Sequence, residues 1–308
     1  MKIYESLNDI KNIEPTVVAM GNFDGIHRGH KELIRRCVSA ARSAGMKAAV
    51  FTFSNHPKNF FKESSVKTLL FYEEKKELVE SLGVDYFFNI PFDETICKMS
   101  AEEYVDELLI GLFNMQEAYC GFNYRFGNKA RGNTEMLMKM SLQKGFGIHV
   151  MEPFKVDGQV VSSTLIRECI GNGQMEKARK YLDRYYSVRG EVIHGNEIGR
   201  TIGFATANIM PDEIMLTPEN GVYATCAMVE GERYPSVTNV GVKPTVGINK
   251  RNIETHIFGF NQDIYGSQIK VEFMKLLREE KKFDSLDQLK RQIENDCINA
   301  KAFHRKNY

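Results

Sequence analysis

The sequence predicts an α/β protein: a parallel sheet covered by helices in the first half, then a small antiparallel β-barrel that ends in a helix. Three observations predict it. The first half alternates apolar β-type runs with amphipathic helical stretches, the rhythm of a parallel sheet. After Asp183 the β-type runs are short and separated by turn residues, which is the spacing of a sandwich or small barrel. The last stretch, "SLDQLKRQIENDCINAKAFH", carries Leu286, Leu289, Ile293 and Cys297 on one stripe that can pack against such a barrel. The change of pattern divides the chain into residues 1–183 and residues 184–308, and 308 residues suit two domains.

The elements follow in order. "TVVAMGNF" opens a strand, "KELIRRCVSAARSAG" a helix and "KAAVFTF" a second strand. The rhythm continues through "EEKKELVESLG", "VDYFFNI", "SAEEYVDELLIGLFN", "QEAYCGF", "TEMLMKMSLQKG" and "FGIHVMEPF". Ser100 and Glu103 have capping-box spacing, and Tyr104, Leu108 and Leu112 recur at α-helical spacing behind them. "SSTLIRECIGNGQMEKARKYLD" reads as a helical region broken near Gly171 and Gly173. The barrel strands are "YYSVRGEVIHG", "FATANIM", "GVYATCAMVEGERYPSVTNVG", "IETHIFGF" and "IKVEFMKLL".

Composition excludes several classes. Apolar residues make up 43% and charged residues 26%, as in folded soluble proteins rather than disordered ones. The net charge of +1 gives no whole-molecule field for nucleic acid or an acidic membrane, so an anionic ligand has to be held by local geometry. Six scattered cysteines with no CxxC pair suggest reduced, buried thiols. The polar start "MKIYESLNDIKNIEP" lacks a signal-peptide centre and no apolar run is long enough to span a bilayer, so a cytoplasmic location is expected.

The stretch "GNFDGIHRGH", residues 21–30, stands where a strand hands over to a helix. A helix start there leaves backbone N–H groups pointing outward with the positive end of the dipole behind them, which is a phosphate site. With the helix beginning near Ile26, His27 and His30 share one face close to that terminus. Gly25 can take the tight turn, and Gly29 removes a side chain where a phosphate or backbone comes close. Gly21, Asn22, Phe23 and Gly25 line the turn as candidate ATP contacts. Imidazoles so placed can donate hydrogen bonds to charge building on an α-phosphate under attack.

The HxGH spacing resembles the signature of nucleotidylyltransferases, a Rossmann-like superfamily. "GNFDGIHRGH", "FTFSNHPKNFF", "GFNYRFGNKARGN" and "SSTLIRECI", in this order, resemble the FMN adenylyltransferase module of bacterial bifunctional riboflavin kinase/FAD synthetases, and the resemblance spans almost the whole chain. It implies that Ser163, Thr164 and Arg167 hold the β- and γ-phosphates of ATP, Arg167 through a planar charged fork. It also implies that Asn123 lies at the nucleotide and FMN-phosphate site and that Phe126 helps hold the flavin ring, with Phe61 a second candidate. The chain departs from the usual Phe-Asp-Pro-His-Pro pattern, reading "FSNHP".

In "HGNEIGRTIGFATANIM" the glycines Gly195, Gly199 and Gly203 permit a loop that closes over phosphates, with Arg200 among them. Thr206 and Asn208, at alternate strand positions, offer hard oxygens suited to Mg²⁺. The stretch resembles the riboflavin kinase signature, with Ala205 in place of its usual proline. Downstream, "NVGVKPT" and "IETHIFGF" match the family in order, and the resemblance implies that Glu254 is the general base toward the riboflavin 5′-hydroxyl. By strand alternation Glu254 and His256 share one face, expected to look into the barrel mouth while Thr255 points away.

The expectation is therefore two consecutive activities in one chain: riboflavin to FMN in the barrel, then FMN to FAD in the α/β domain, with ATP, FMN, riboflavin and Mg²⁺ as the small molecules required. Ala205 keeps open an alternative in which the barrel binds flavin without phosphorylating it, and a non-catalytic flavin sensor is a further reading. Partners are expected to be small molecules, with neither nucleic acid nor membrane, and the chain a monomer or weak homo-oligomer.

Overall fold

Val17, Val18, Ala19 and Met20 form an unbroken apolar run, and a strand of that kind needs cover on both faces. The computed structural model describes residues 1–61, 66–195, 203–245 and 248–307. Two compact units divide the chain, Met1–Ser162 and Ser163–Tyr308.

The first unit runs β1 (Lys2–Tyr4), β2 (Thr16–Met20), α1 (Arg28–Ser43), β3 (Lys47–Phe53), α2 (Pro57–Phe60), α3 (Tyr72–Ser81), β4 (Tyr86–Ile90) and α4 (Glu94–Lys98). It continues with α5 (Ala101–Glu103), which passes into a π-helix (Tyr104–Leu112), then β5 (Met115–Gly121), β6 (Arg125–Phe126), β7 (Gly132–Asn133), α6 (Thr134–Lys144), β8 (Gly147–Met151), β9 (Lys155–Val156) and β10 (Gln159–Val160). Six of these strands form one parallel sheet in the order β1-β4-β3-β2-β5-β8. Val17 and Ala19 of β2 face a core with Leu33, Ile34 and Cys37 of α1, while Val18 and Met20 face the opposite core with Leu108, Phe113 and Leu137. That is strand alternation serving two hydrophobic layers. The edge strand β1, which the polar N-terminal sequence did not announce, pairs Ile3 with Phe87 of β4.

Ser100 and Glu103 do form the capping box. Behind it the α-helical register fails: the turns widen to i→i+5 bonds, with the Phe113 N–H donating to the Leu108 carbonyl at 3.0 Å. Wider turns bury Tyr104, Leu108 and Phe113, whereas Leu112 of the expected stripe is only half-buried.

The second unit opens with α7 (Ser163–Gly171) and α8 (Met175–Leu182), so the helical region does break at the glycines. Its strands are β11 (Tyr186–Ile193), β12 (Ala207–Ile209), β13 (Gly221–Val229), β14 (Glu232–Thr245), β15 (Ile248–Ile257) and β16 (Gln268–Arg278), followed by α9 (Leu286–Asn307). They close an antiparallel barrel, β11-β12-β15-β14-β13-β16. A boundary drawn from the change of strand pattern falls near residue 184; by contacts α7 and α8 group with the barrel, α8 lying against β11 and β16.

Inside the barrel a chain of fully buried hydroxyls crosses three strands. Thr225 bonds Ser236 at 2.8 Å and Thr238 at 2.7 Å, and Thr238 bonds Thr255 at 2.9 Å. The outer face of the same strands, at Val222, Ala224 and Val237, receives Cys297 and Ala300 of α9. Asp296, beside them, takes a two-pronged ion pair from Arg278 of β16, with contacts of 2.9 and 2.7 Å. Leu286, expected on the packed stripe, is 63% exposed, because the helix meets the barrel from Ile293 onward.

Thr238→Val removes the middle hydroxyl and strips Thr255 of this bond in a dry interior. Urea unfolding of the barrel is expected to show a loss of about 1–3 kcal/mol. Leu286→Ala, at the solvated start of α9, is expected to stay within about 0.5 kcal/mol of the parent.

Candidate active sites

In a parallel sheet the chain leaves every strand at the same edge, and the turns gathered there build the site. The β2–α1 turn is tied to that edge twice. Gly21 N–H donates to the Phe51 carbonyl at 3.2 Å, and Thr52 Oγ1 donates to the Asn22 carbonyl at 2.8 Å. The backbone then turns left-handed at Phe23 (φ 44°), Gly25 (φ 84°) and Ile26 (φ 38°). For Phe23 and Ile26 this is strained, and both side chains are fully buried, so packing holds the strain. Phe23 therefore offers its backbone and not its ring to a ligand.

Helix α1 starts at Arg28, two residues later than expected, and His27 is its N-cap. The His27 Nδ1 accepts the His30 backbone N–H at 3.2 Å. An accepting Nδ1 puts the proton of a neutral imidazole on Nε2. The two histidine rings stack with centroids 3.6 Å apart, and the Phe23 edge meets His30 at 5.2 Å. Gly29 permits this, since a Cβ there would lie 3.1 Å from the Phe154 Cβ and 3.3 Å from the His27 ring. Burial, then the charges of His27 and Lys75, holds His30 well below its ordinary pKa. Its Nδ1 is buried and has no hydrogen-bond partner among the described residues. Lys75 of α3 is itself depressed by burial, against the opposing pull of Asp24. The Asp24 Oδ1 accepts the Leu69 N–H at 2.9 Å, fixing the loop before α3 to the turn. Neither Lys75 nor Asp24 was singled out from the sequence; Lys75 sits in an ordinary-looking charged helix and only its burial marks it.

Asn123 is exposed after β5. Phe126 differs from expectation: it is 4% exposed and packed between Tyr104 and Tyr124, at 5.3 and 5.9 Å, so its ring is a core ring here. Phe61 is open, 48% exposed, beside Phe60 and Phe92. Phe122, next to Asn123 in the same motif, is another exposed ring. Ser163, Thr164 and Arg167 lie in the first turns of α7, in the second unit, with Ser163 and Arg167 one helical turn apart on the same face.

In the barrel, Gly199 and Arg200 lie outside the described residues, and Gly203 is exposed with φ 92°. Asn208 of β12 stands directly opposite Glu254 of β15. The Asn252 amide joins them, donating to Glu254 Oε1 at 2.7 Å and to Asn208 Oδ1 at 3.4 Å. Asn208 Nδ2 reaches the Thr206 carbonyl at 3.4 Å. Gly195 is required beside them, because a Cβ there would fall 2.4 Å from Asn208 Nδ2. Glu254 and His256 share a face, but not the expected one: Thr255 points into the barrel, bonded to Thr238, so Glu254 lies on the outer wall. The interior is filled by Thr255, Ile253 and their neighbours, leaving the outer wall for an acid that needs solvent and substrate. His256 Nδ1 lies 2.8 Å from the Ala205 carbonyl, as donor to it, and so anchors the residue before Thr206.

For Mg²⁺, the donor set is the test. The Thr206 hydroxyl, just before β12, and the Asn208 side-chain carbonyl oxygen on it are hard oxygens, which fit a cation that takes few protein ligands. No group of three or more His, Cys, Asp or Glu able to hold a metal occurs among the described residues.

Comparison with known proteins agrees with both halves. A family model described as FAD synthetase matches residues 9–165, and one described as riboflavin kinase matches residues 182–304. The bifunctional riboflavin kinase/FMN adenylyltransferase of Bacillus subtilis is 37% identical over 91% of this chain and 90% of its own. That of Haemophilus influenzae is 35% identical over 98% and 99%. A crystal structure from Streptococcus pneumoniae described as a macrolide-efflux protein superposes with a TM-score of 0.89 at 31% identity, covering 97% of this chain and 98% of that one. Among the described residues no helix is long and apolar enough to cross a membrane. With two family models in tandem and full-length relatives above 30% identity, the chain belongs to the bifunctional riboflavin kinase/FMN adenylyltransferase family.

Proposed function

We propose that the barrel phosphorylates riboflavin to FMN and that the α/β unit joins FMN to AMP from ATP. The observation that carries the second half is the stacked His27–His30 pair at the capped start of α1. An FMN phosphate oxygen attacks the α-phosphorus of ATP, the bond to the bridging oxygen breaks, and pyrophosphate leaves. His27, protonated on Nε2, donates to a non-bridging α-phosphate oxygen, and His30 with the helix N-terminus stabilises the charge that builds there. Gly21, Asn22 and Gly25 supply backbone contacts to the nucleotide. Ser163, Thr164 and Arg167 are assigned to the β- and γ-phosphates, and Asn123 and Phe61 to FMN. No covalent enzyme intermediate is needed, since the FMN phosphate is the nucleophile and alignment is the protein's main contribution.

In the barrel, Glu254 takes the proton of the riboflavin 5′-hydroxyl as that oxygen attacks the γ-phosphorus of ATP, the bond from that phosphorus to the β–γ bridging oxygen breaks, and ADP leaves. Asn252 holds the carboxylate in place, and Gly199, Arg200 and Gly203 belong to the loop assigned to the phosphates. Thr206 and Asn208 would hold Mg²⁺, which would supply positive charge against the phosphates. His256 anchors the Ala205 carbonyl next to Thr206. Six free thiols support a reducing, cytoplasmic setting.

Chromatographic separation of flavins after incubation with riboflavin, ATP and Mg²⁺ tests the reading: FMN should appear first and FAD after it. FAD formed only from supplied FMN would instead favour a barrel that binds flavin without phosphorylating it.

His30→Ala should cut FAD formation by about 10²–10³-fold and spare FMN formation. Glu254→Gln should do the reverse. Loss of both activities in either folded variant would defeat the division of labour.

Acid should weaken the first unit. The unfolded chain takes up a proton on His30 near 6.5, while the folded unit resists until well below it. The unfolded state binds more protons in that window, so stability is full above 6.5 and falls as pH drops below it. His30→Gln is expected to flatten that decline, measured by urea unfolding at about pH 7.5 and about pH 5.5.

A further inference from the structure

Two asparagine side chains at the site edge hold distant backbone by paired hydrogen bonds. Asn55, in the turn after β3, donates from Nδ2 to the Phe92 carbonyl at 3.0 Å and accepts the Phe92 N–H on Oδ1 at 2.6 Å. Asn59 does the same to Val66, at 3.0 and 2.7 Å. Phe92, after β4, is the ring shared by a half-open aromatic cluster: Phe53 lies 5.1 Å from it, Phe60 5.4 Å and Phe61 6.1 Å. All three contacts are edge-to-face or close to it, at 64–84°. Phe53 pairs with Ile90 across parallel strands, so both turns leave the sheet at the edge that carries the histidine turn. Thr52, one residue before Phe53, is bonded to that turn.

Several phenyl rings left partly open together on one edge are a binding surface for a flat apolar ligand, not the scattered exposure of an ordinary surface. We propose that Asn55 is a positioning residue of the adenylyl-transfer site, clasping Phe92 as the fixed wall against which the isoalloxazine ring of FMN lies, with Phe61 as its open partner. Both hydrogen bonds of the clasp come from the Asn55 amide, so its part is to fix the turn. Proline, which the usual pattern has at this position, has no side-chain donor or acceptor, so the clasp belongs to this chain's own sequence. The inference rests on the adenylyl-transfer reading and names the residues that hold its flavin.

The full-length enzyme is assayed for FAD formation with FMN varied at saturating ATP and Mg²⁺, and riboflavin phosphorylation is measured beside it. Asn55→Ala, Phe92→Leu and Phe61→Leu are each expected to raise KM for FMN about three- to tenfold. The kcat, the KM for ATP and the kinase rate are expected to stay within about twofold. Asn55→Asp keeps the acceptor and loses the donor, and should behave like Asn55→Ala. Phe61, an exposed ring the fold does not need, guards against a variant that simply unfolds. Unchanged KM for FMN in Asn55→Ala and Phe61→Leu, or a fall in kcat alone, overturns the inference while the proposed function stands. A parent enzyme that makes no FAD from FMN and ATP overturns both.

Discussion

The hydrogen bond from the His30 backbone to the His27 side chain organises the first unit's chemistry. A helix start must satisfy its N–H groups, and side chains of Ser, Thr, Asp or Asn usually do so. Here an imidazole does it. One bond therefore caps the helix, selects the tautomer that presents Nε2–H, and brings the two rings into a stack at the positive end of the dipole. The strained turn before it is affordable because Phe23 and Ile26 are buried side chains of the core, so site geometry and core packing are the same contacts seen from two sides.

Charge at this turn is governed by burial. A depressed His30 and a depressed Lys75 limit positive charge at the turn, with Asp24 opposing the effect at Lys75. With a net charge of only +1, the field at this turn is set by these neighbours rather than by the whole molecule.

The barrel separates its tasks by strand alternation. Thr255 belongs to the hydroxyl chain that links β13, β14 and β15 inside, and its neighbour Glu254 faces outward across from Asn208. A slip of one residue in the β14–β15 register would exchange these roles, placing a carboxylate in the dry interior. The interior network therefore stabilises the arrangement on which the outer acid depends. The Arg278–Asp296 pair, drawn tight between β16 and α9, fastens the helix over the outer face of β13 and β14.

The sequence by itself determined the strand-helix rhythm, the antiparallel second half, the capping box and the histidine turn at a helix start, because each rests on local spacing. It misled where the outcome depends on partners far along the chain. Phe126 belongs to the core because Tyr104 and Tyr124 enclose it, the π-helix forms because Phe113 rather than Leu112 meets the sheet, and β1 exists because β4 offers it an edge. Glu254 faces outward because the hydroxyls of three strands claim the inside. Asn55 reads as a turn residue until Phe92, on another strand's exit, supplies the backbone it clasps. Periodicity records which side of an element is apolar; which neighbour that side meets is set only when the whole chain has packed.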